Sequence, residues 1–151
     1  MQGTPESPQN LIALDFGLRR IGIATGTCVA GTAGPLTTLS AVDGEPDWQE
    51  LTNILQEWQP DILVLGLPYN TDGSESEMTA RVREFAAELE ARYQKRVSFI
   101  DERYTSVEAE ALLKEERRRG TRTRKINKED VDARAAQLIA ESWMQNTGTT
   151  P

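Results

Sequence analysis

The chain has 151 residues, a length that fits one domain built around a single hydrophobic core. It contains no histidine and a single cysteine, Cys28, which excludes histidine-dependent catalysis, histidine metal ligands, a disulfide framework and a cysteine zinc site. Its formal net charge of -7 argues against binding nucleic acid through overall charge, so any such binding has to come from a local basic patch.

The first part of the chain predicts a meander of three strands followed by a helix. Two apolar stretches flank a glycine-containing turn, which indicates a hairpin, and a threonine-rich third strand is interrupted by Gly34-Pro35. Apolar side chains then recur at helical spacing until Pro60 ends the helix. The predicted elements are strands over residues 11–15, 21–25 and 32–39, and a helix over residues 48–58.

The rest of the chain alternates strands with helices. Ile62–Leu67 is continuously apolar, which is typical of a strand buried on both faces of a parallel or mixed sheet. Capping-box patterns at Ser74 with Glu77, and at Thr105 with Glu108, predict two helix starts. The remaining predicted elements are a helix with its apolar face over residues 78–93, a strand over 96–101, a helix from 105 to about 119, and a last helix capped by Asn127.

The predicted order is therefore β-β-β-α-β-α-β-α-α. It indicates an α/β protein with a mixed five-stranded sheet and helices on both faces. No repeat and no long linker interrupts it, so we expect one domain over residues 11–144 between disordered tails at 1–10 and 145–151.

Acidic residues close two predicted strands and lie near the start of the last helix. Taken singly, Asp15 also fits a turn cap, Asp132 also fits a favourable helix N-terminus, and Asp101 and Glu102 also fit a solvated strand end. Asp101 and Glu102 point to opposite faces if the strand geometry persists, so at most one of them need face Asp15.

Together these acids predict a site for divalent metal ions. Mg²⁺ and Mn²⁺ prefer oxygen ligands, and such a site needs no histidine. A pair of ions, typically about 3.5–4 Å apart, can activate a water and stabilise the leaving oxygen of a phosphodiester. We expect Mg²⁺ or Mn²⁺, in a two-metal site, with ligands drawn from Asp15, Asp101, Glu102 and Asp132.

Four motif blocks resemble the YqgF/RuvX family of pre-16S rRNA nucleases, whose members are also named Holliday junction resolvases. The blocks are Asp15–Gly22, Gly66–Ser74, Asp101–Ser106 and Val131–Ala136, and the resemblance covers roughly residues 11–144. It implies a ribonuclease H-like fold, whose element order agrees with the predicted one. It also implies a metal-dependent nuclease that processes the 5′ end of the small-subunit rRNA precursor during ribosome biogenesis.

The resemblance assigns roles to the acids residue by residue. It implies a catalytic triad of Asp15, Glu102 and Asp132, with Asp101 as the competitor for the middle place. Tyr69 stands where the family pattern favours an aliphatic residue. Three alternatives stay open: a Holliday junction as the substrate, a non-catalytic module that docks on RNA or ribosomal particles, and an ATPase of the actin or sugar-kinase type.

Substrate contacts are predicted close to the acids and in a basic segment. Arg20 suits a phosphate, or pairs instead with Asp15 or Glu102. Asn70 and Ser74 lie in a strand-to-helix loop, where ligands usually bind. Residues 114–128 carry eight basic residues against two glutamates and no aromatic residue, which predicts a grip on phosphates without base stacking. The other predicted contacts are Arg103, Thr105, Arg119, Arg122, Arg124 and Lys125.

The expected setting is the cytoplasm, with nucleic acid as the partner and no membrane contact. A lone cysteine suits a reducing compartment, and the longest strongly apolar run is far shorter than the roughly 20 residues of a membrane span. The first ten residues lack the basic and apolar regions of a signal peptide. We expect a monomer or weak homodimer acting on pre-rRNA or branched DNA. Because junction resolution needs two coordinated cuts, a stable dimer would favour a junction as the substrate, and a monomer would favour single-site processing.

Overall fold

A six-stranded mixed sheet organises the protein, in a computed structural model that describes residues 9–101 and 128–145. The strands are β1 (Asn10–Asp15), β2 (Arg20–Thr27), β3 (Thr32–Val42), β4 (Glu45–Pro46), β5 (Ile62–Leu67) and β6 (Arg96–Asp101). The helices are α1 (Trp48–Trp58), α2 (Glu77–Tyr93) and α3 (Lys128–Trp143). Across the sheet the order is β4-β3-β2-β1-β5-β6; β1 to β4 pair antiparallel, and β5 lies parallel to both β1 and β6.

The predicted count of five strands is wrong because the chain doubles back after β3. Asp43 and Gly44 both adopt positive φ, 51° and 83°, which is the geometry of a two-residue hairpin turn. Glu45 and Pro46 then pair with the end of β3. A two-residue strand leaves no hydrophobic pattern to detect, so the sequence of residues 44–47 predicts only a break in the chain.

Helices cover both faces of the sheet, as predicted. Side chains alternate along each strand, so successive residues enter different cores. One face buries Leu14, Leu63 and Leu65 against α1 and α2. The other face buries Ala13 and Val64 against α3. Within the described parts of the chain, no helix is both long enough and apolar enough to cross a membrane.

The start of α2 corrects the predicted capping box. Ser76, not Ser74, is the N-cap: its Oγ accepts a hydrogen bond from the Thr79 amide at 3.2 Å, and its own amide donates to Thr79 Oγ1 at 2.9 Å. Ser74 remains in the preceding loop because Tyr69 and Glu75 form a bridge that delays the helix. The predicted helix from residue 105 to about 119 and the Asn127 cap lie outside the described residues.

The ends of the predicted domain fall close to the limits of the described residues. Strand β1 begins at Asn10, and the amides of Gln9 and Asn10 both donate to the Asp61 carboxylate, at 2.8 and 3.0 Å. Residues 1–8 and 146–151 lie outside the described part, so the two disordered tails stay a prediction.

Candidate active site

Three of the acids predicted for the site, Asp15, Asp101 and Asp132, lie at one edge of the sheet. Strands β1, β5 and β6 are parallel, so their carboxyl ends meet there, which is where ligands usually bind in sheets of this type. Asp15 is the last residue of β1 and Asp101 the last of β6. We call this the carboxyl edge, and the edge where β1, β5 and β6 begin the amino edge.

Asp15 lies on the sheet face that α3 covers. In β1 it shares that face with Leu11 and Ala13, both of which belong to the core beneath α3. Its register partner in β2 is Gly22, so the position opposite Asp15 carries no side chain. Asp15 is half-buried and takes part in at least one polar or electrostatic interaction.

Gly22 brings Asp132 to the same place. A Cβ on Gly22 would overlap the backbone carbonyl of Asp132, so α3 lies directly on β2 at this point. The close approach continues along the helix, where Ala135 and Ala136 are 1% and 0% exposed, as their small size predicts. The pairing of Gly22 with Asp15 and its contact with Asp132 put both carboxylate-bearing residues on one face of the carboxyl edge.

An ion pair fixes the Asp132 side chain. Arg20 Nε donates to Asp132 Oδ2 at 2.8 Å, and the two side chains are 32% and 23% exposed. Arg20 and Gly22 are two residues apart in β2 and therefore share the α3 face. Arg20 was predicted either to bind a phosphate or to pair with Asp15 or Glu102, and the described structure shows it in an ion pair with Asp132.

Asp101 lies on the opposite face of the sheet from Asp15. Along β6, Asp101 shares a face with Val97 and Phe99, which pack against the α1–α2 core. Ile100 lies on the other face and packs against the α3 core. Asp101 is exposed and helps to line an open cavity of about 470 Å³ that includes Leu67, Tyr69, Gly73 and Phe99. The structure therefore does not bring Asp101 to the face that Asp15 and Asp132 share.

Asn70 and Ser74 are engaged inside the loop between β5 and α2. Asn70 Nδ2 donates to Ser74 Oγ at 2.9 Å, and Ser74 Oγ donates to Asp72 Oδ1 at 2.6 Å. The backbone amide of Asn70 also donates to the backbone carbonyl of Ser74. These bonds shape the loop and use the hydroxyl hydrogen of Ser74, so donation from that hydroxyl to a phosphate would have to replace its bond to Asp72, whereas Asn70 Nδ2 keeps a second hydrogen.

Arg83 of α2 ties this loop to the helix that follows it. Its Nη2 donates to Glu75 at 2.8 Å, and its guanidinium lies 5.8 Å from the centre of the Phe99 ring. The hydrogen bond to Glu75 raises the pKa of Arg83 above its ordinary value. Sequence analysis missed this residue because nothing in the local pattern marks an arginine eight positions after its partner.

The remaining predicted site residues are not part of the described structure. Within residues 9–101 and 128–145, no three acidic or cysteine side chains come together as a group that could hold a metal ion. Asp15 and Asp132 thus form the described part of the predicted metal site. The predicted residues outside the described part are Glu102, Arg103, Thr105, Arg119, Arg122, Arg124 and Lys125.

The turn after Asp15 is held by the β3–β4 hairpin, which sequence analysis did not detect. The Ala41 amide donates to the Arg19 carbonyl at 2.8 Å, and the Gly44 amide donates to the Leu18 carbonyl at 2.9 Å. A Cβ at Gly17 would meet the carbonyl of Arg20, which explains the glycine in this tight turn. These hydrogen bonds fasten the end of the Asp15–Arg20 segment to the hairpin.

Residues 9–146 match a family described as RuvX, Holliday junction resolvase. The chain is 45% identical to a protein of Aeromonas hydrophila over 92% of this chain and 96% of that protein. It is 48% identical to a protein of Marinobacter nauticus over 89% of this chain and 92% of that protein. Both relatives are named as candidate pre-16S rRNA nucleases.

Solved structures with the same fold are resolvases of much lower sequence identity. The RuvC protein of T. thermophilus, solved with a Holliday junction, has a TM-score of 0.54 and 11% identity, covering 93% of this chain and 97% of its own. The yeast mitochondrial Holliday junction resolvase has a TM-score of 0.53 and 11% identity, covering 94% of this chain and 80% of its own. These likenesses confirm the predicted ribonuclease H-like fold.

Proposed function

This chain belongs to the RuvX family, and on that premise we propose that it is a metal-dependent nuclease that cuts pre-16S rRNA at its 5′ end. The observation that carries the proposal is the placement of Asp15 and Asp132 on one face of the carboxyl edge, through the shared neighbour Gly22. The names of the relatives support the rRNA precursor as the substrate, because they apply to proteins that match nearly the whole chain.

Asp15, Asp132 and Glu102 are proposed to hold Mg²⁺ or Mn²⁺, in a two-ion site. The donor set fits, because carboxylate oxygens are the ligands that these hard cations prefer. Glu102 is preferred over Asp101 because Asp101 lies on the other face, and the next position of an extended chain returns to the face of Asp15. When bound, the ions would activate the attacking water and stabilise charge on the leaving oxygen.

The protein's own residues position this site. Arg20 holds one oxygen of Asp132, which fixes the rotamer of a carboxylate that has to meet a ligand in a defined geometry. Gly22 sets the separation between α3 and the sheet, and thereby between Asp132 and Asp15. Arg103, Thr105 and the basic segment remain proposed contacts for substrate phosphates.

A Holliday junction is the second candidate substrate. The description of the matching family and the fold shared with RuvC favour it. Two coordinated cuts require two active sites, so a stable dimer would support junction resolution, whereas a monomer or weak homodimer suits single cuts in RNA. We propose the cytoplasm as the location, since the lone Cys28 suits a reducing compartment.

The proposal is tested with two labelled substrates in parallel. Purified protein is incubated with RNA that contains the 5′ boundary of the pre-16S precursor, and with a four-way DNA junction, in Mg²⁺, Mn²⁺ or EDTA. We expect metal-dependent cutting of the RNA that disappears in EDTA. The Asp15→Asn protein, purified identically and checked for folding by circular dichroism, controls for contaminating nucleases and should not cut.

Each other result has a distinct meaning. Equal products from both proteins would show that a contaminant does the cutting and would contradict the proposal. Cutting of the junction alone, together with a dimer in sedimentation, would favour the resolvase. Tight, salt-sensitive binding without cutting in any metal would favour a non-catalytic module that docks on RNA or ribosomal particles.

A further inference from the structure

Two consecutive arginines follow Asp15, and the structure gives them different surroundings. Arg20 donates to Asp132 at 2.8 Å, so its cation is already used within the site. Arg19 is exposed, and within the described residues no hydrogen bond or ion pair engages its guanidinium. Of these two cations, Arg19 is the one available to a ligand without breaking an existing contact.

The backbone beneath Arg19 is held by hydrogen bonds from the β3–β4 hairpin. Its carbonyl accepts from the Ala41 amide at 2.8 Å, and the preceding carbonyl, of Leu18, accepts from the Gly44 amide at 2.9 Å. The tip that carries Gly44 is in turn held by Arg81, whose Nη2 donates to the Asp43 carbonyl at 2.8 Å. A side chain on a fixed base loses less entropy when it binds a ligand.

The position of Arg19 determines which phosphate it could reach. The residue lies in the turn at the carboxyl end of β1, four positions after Asp15. Its neighbour Arg20 points to the α3 face and Ile21 is buried in the core of the other face, so Arg19 lies at the rim and not between Asp15 and Asp132. A nucleic-acid strand that crosses the acidic site would bring a phosphate next to the cleaved bond to this rim.

We propose that Arg19 is a substrate-binding residue that contacts a backbone phosphate next to the cleaved bond. The planar guanidinium matches two phosphate oxygens, and charge-assisted pairs of this kind are strong. On a chain of net charge -7, a free cation beside acidic residues also offsets the repulsion that a polyanion meets on approach. The inference rests on the proposed nuclease function.

Binding measurements without cleavage test it. Fluorescence anisotropy gives Kd for the precursor RNA fragment and the four-way DNA junction, in EDTA and again in Ca²⁺, across a series of KCl concentrations. Arg19→Ala should raise Kd about tenfold and make the slope of log affinity against log salt less steep by about 0.7–0.9, the loss of one phosphate contact. Arg19→Lys should keep the slope and recover part of the affinity.

Arg96→Ala is the matched control. Arg96 is also exposed and without a partner in the described structure, but it lies at the amino edge, just after the carboxyl end of α2. Its removal should change neither Kd nor the slope. Equal effects of Arg19→Ala and Arg96→Ala would overturn the inference and leave the nuclease proposal intact. Wild-type protein that binds neither probe in either buffer would overturn both.

Discussion

The two edges of the sheet use the same kinds of residue for different purposes. At the carboxyl edge, Asp15 and Asp132 share one face, and an arginine holds the second of them. At the amino edge, Asp61 accepts hydrogen bonds from two backbone amides, of Gln9 and Asn10, and so fastens the start of β1. An aspartate therefore indicates a site only when other acids converge on it.

The larger cavity lies at the amino edge, which carries no predicted catalytic residue. It measures about 910 Å³ and is formed where α1 and α2 end, with Thr52 Oγ1 and Tyr93 Oη 2.9 Å apart inside it. Each helix ends there at a C-cap residue with left-handed backbone geometry, Gln59 for α1 and Gln94 for α2. The comparison shows that strand direction and converging charge, not cavity volume, identify the candidate site.

The largest expected effect is the difference in cleavage activity between a substitution of Asp132 at the carboxyl edge and one of Asp61 at the amino edge. Asp132→Asn should lower cleavage by more than about 100-fold, because even residues that only support a metal ligand typically contribute 10–100-fold. Asp61→Asn makes the same chemical change at the amino edge, where the amide oxygen can still accept from the Gln9 and Asn10 amides. Single-turnover cleavage assays compare the two. Similar activity losses would remove the functional distinction between the edges.

The next largest effect is the loss of stability and cleavage expected when Gly22, which lies under Asp132, is substituted. Gly22→Ala should lower the free energy of unfolding by about 1–3 kcal/mol, because its Cβ forces α3 away from β2. Such a change lowers Tm by roughly 2–4 °C per kcal/mol in a chain of this size. Cleavage should fall as well, since Asp132 moves with the helix.

Gly34→Ala provides the matched substitution, because a Cβ on Gly34 in β3 would meet nothing within 4 Å. Calorimetry and cleavage assays on both variants should show a clear loss for Gly22→Ala and almost no change for Gly34→Ala. If the two variants had equal Tm and equal activity, the close approach of α3 would not be what positions the carboxyl edge.

A smaller effect is expected when the ion pair of the carboxyl edge is broken. Arg20→Ala should lower the free energy of unfolding by about 0.5–1 kcal/mol, the range of pairs that solvent still reaches. The difference from wild type should shrink in high salt, which screens the attraction. Urea unfolding at low and high NaCl measures it, and a salt-independent difference would point to lost packing instead.

The smallest expected effect is on the alkylation rate of Cys28, whose thiol lies at the amino edge. Burial, and then the negative charge of Asp61, raise the pKa of Cys28 above its ordinary value. At pH 8 the folded protein therefore carries less thiolate than the unfolded chain, and iodoacetamide should alkylate it more slowly. Mass spectrometry of native and denatured protein compares the rates. Equal rates would show that this edge opens freely to reagent.

The order and type of the main elements could be predicted from the sequence because they depend on local patterns. The apolar stretch of β1, the continuous apolar run of β5 and the helical spacing in α1 appear within a few neighbouring positions. The two-residue strand β4 was not predicted because it is too short to carry a hydrophobic pattern. The Ser76 cap was not predicted because the bridge between Tyr69 and Glu75, which keeps Ser74 in the loop, is not visible in the local pattern.

The sequence by itself predicted which acids to consider for the candidate site, because the motif blocks around Asp15, Asp101-Glu102 and Asp132 name them without any geometry, with Asp101 and Glu102 left as alternatives. Only the tertiary structure decided how they are arranged: that Asp132 meets the Asp15 face over Gly22, that Asp101 points away from that face, and that Arg20 is engaged while Arg19 is available. The physical reason is that residue types are local properties of a chain. Faces, registers and ion pairs arise only when segments that are distant in sequence pack together.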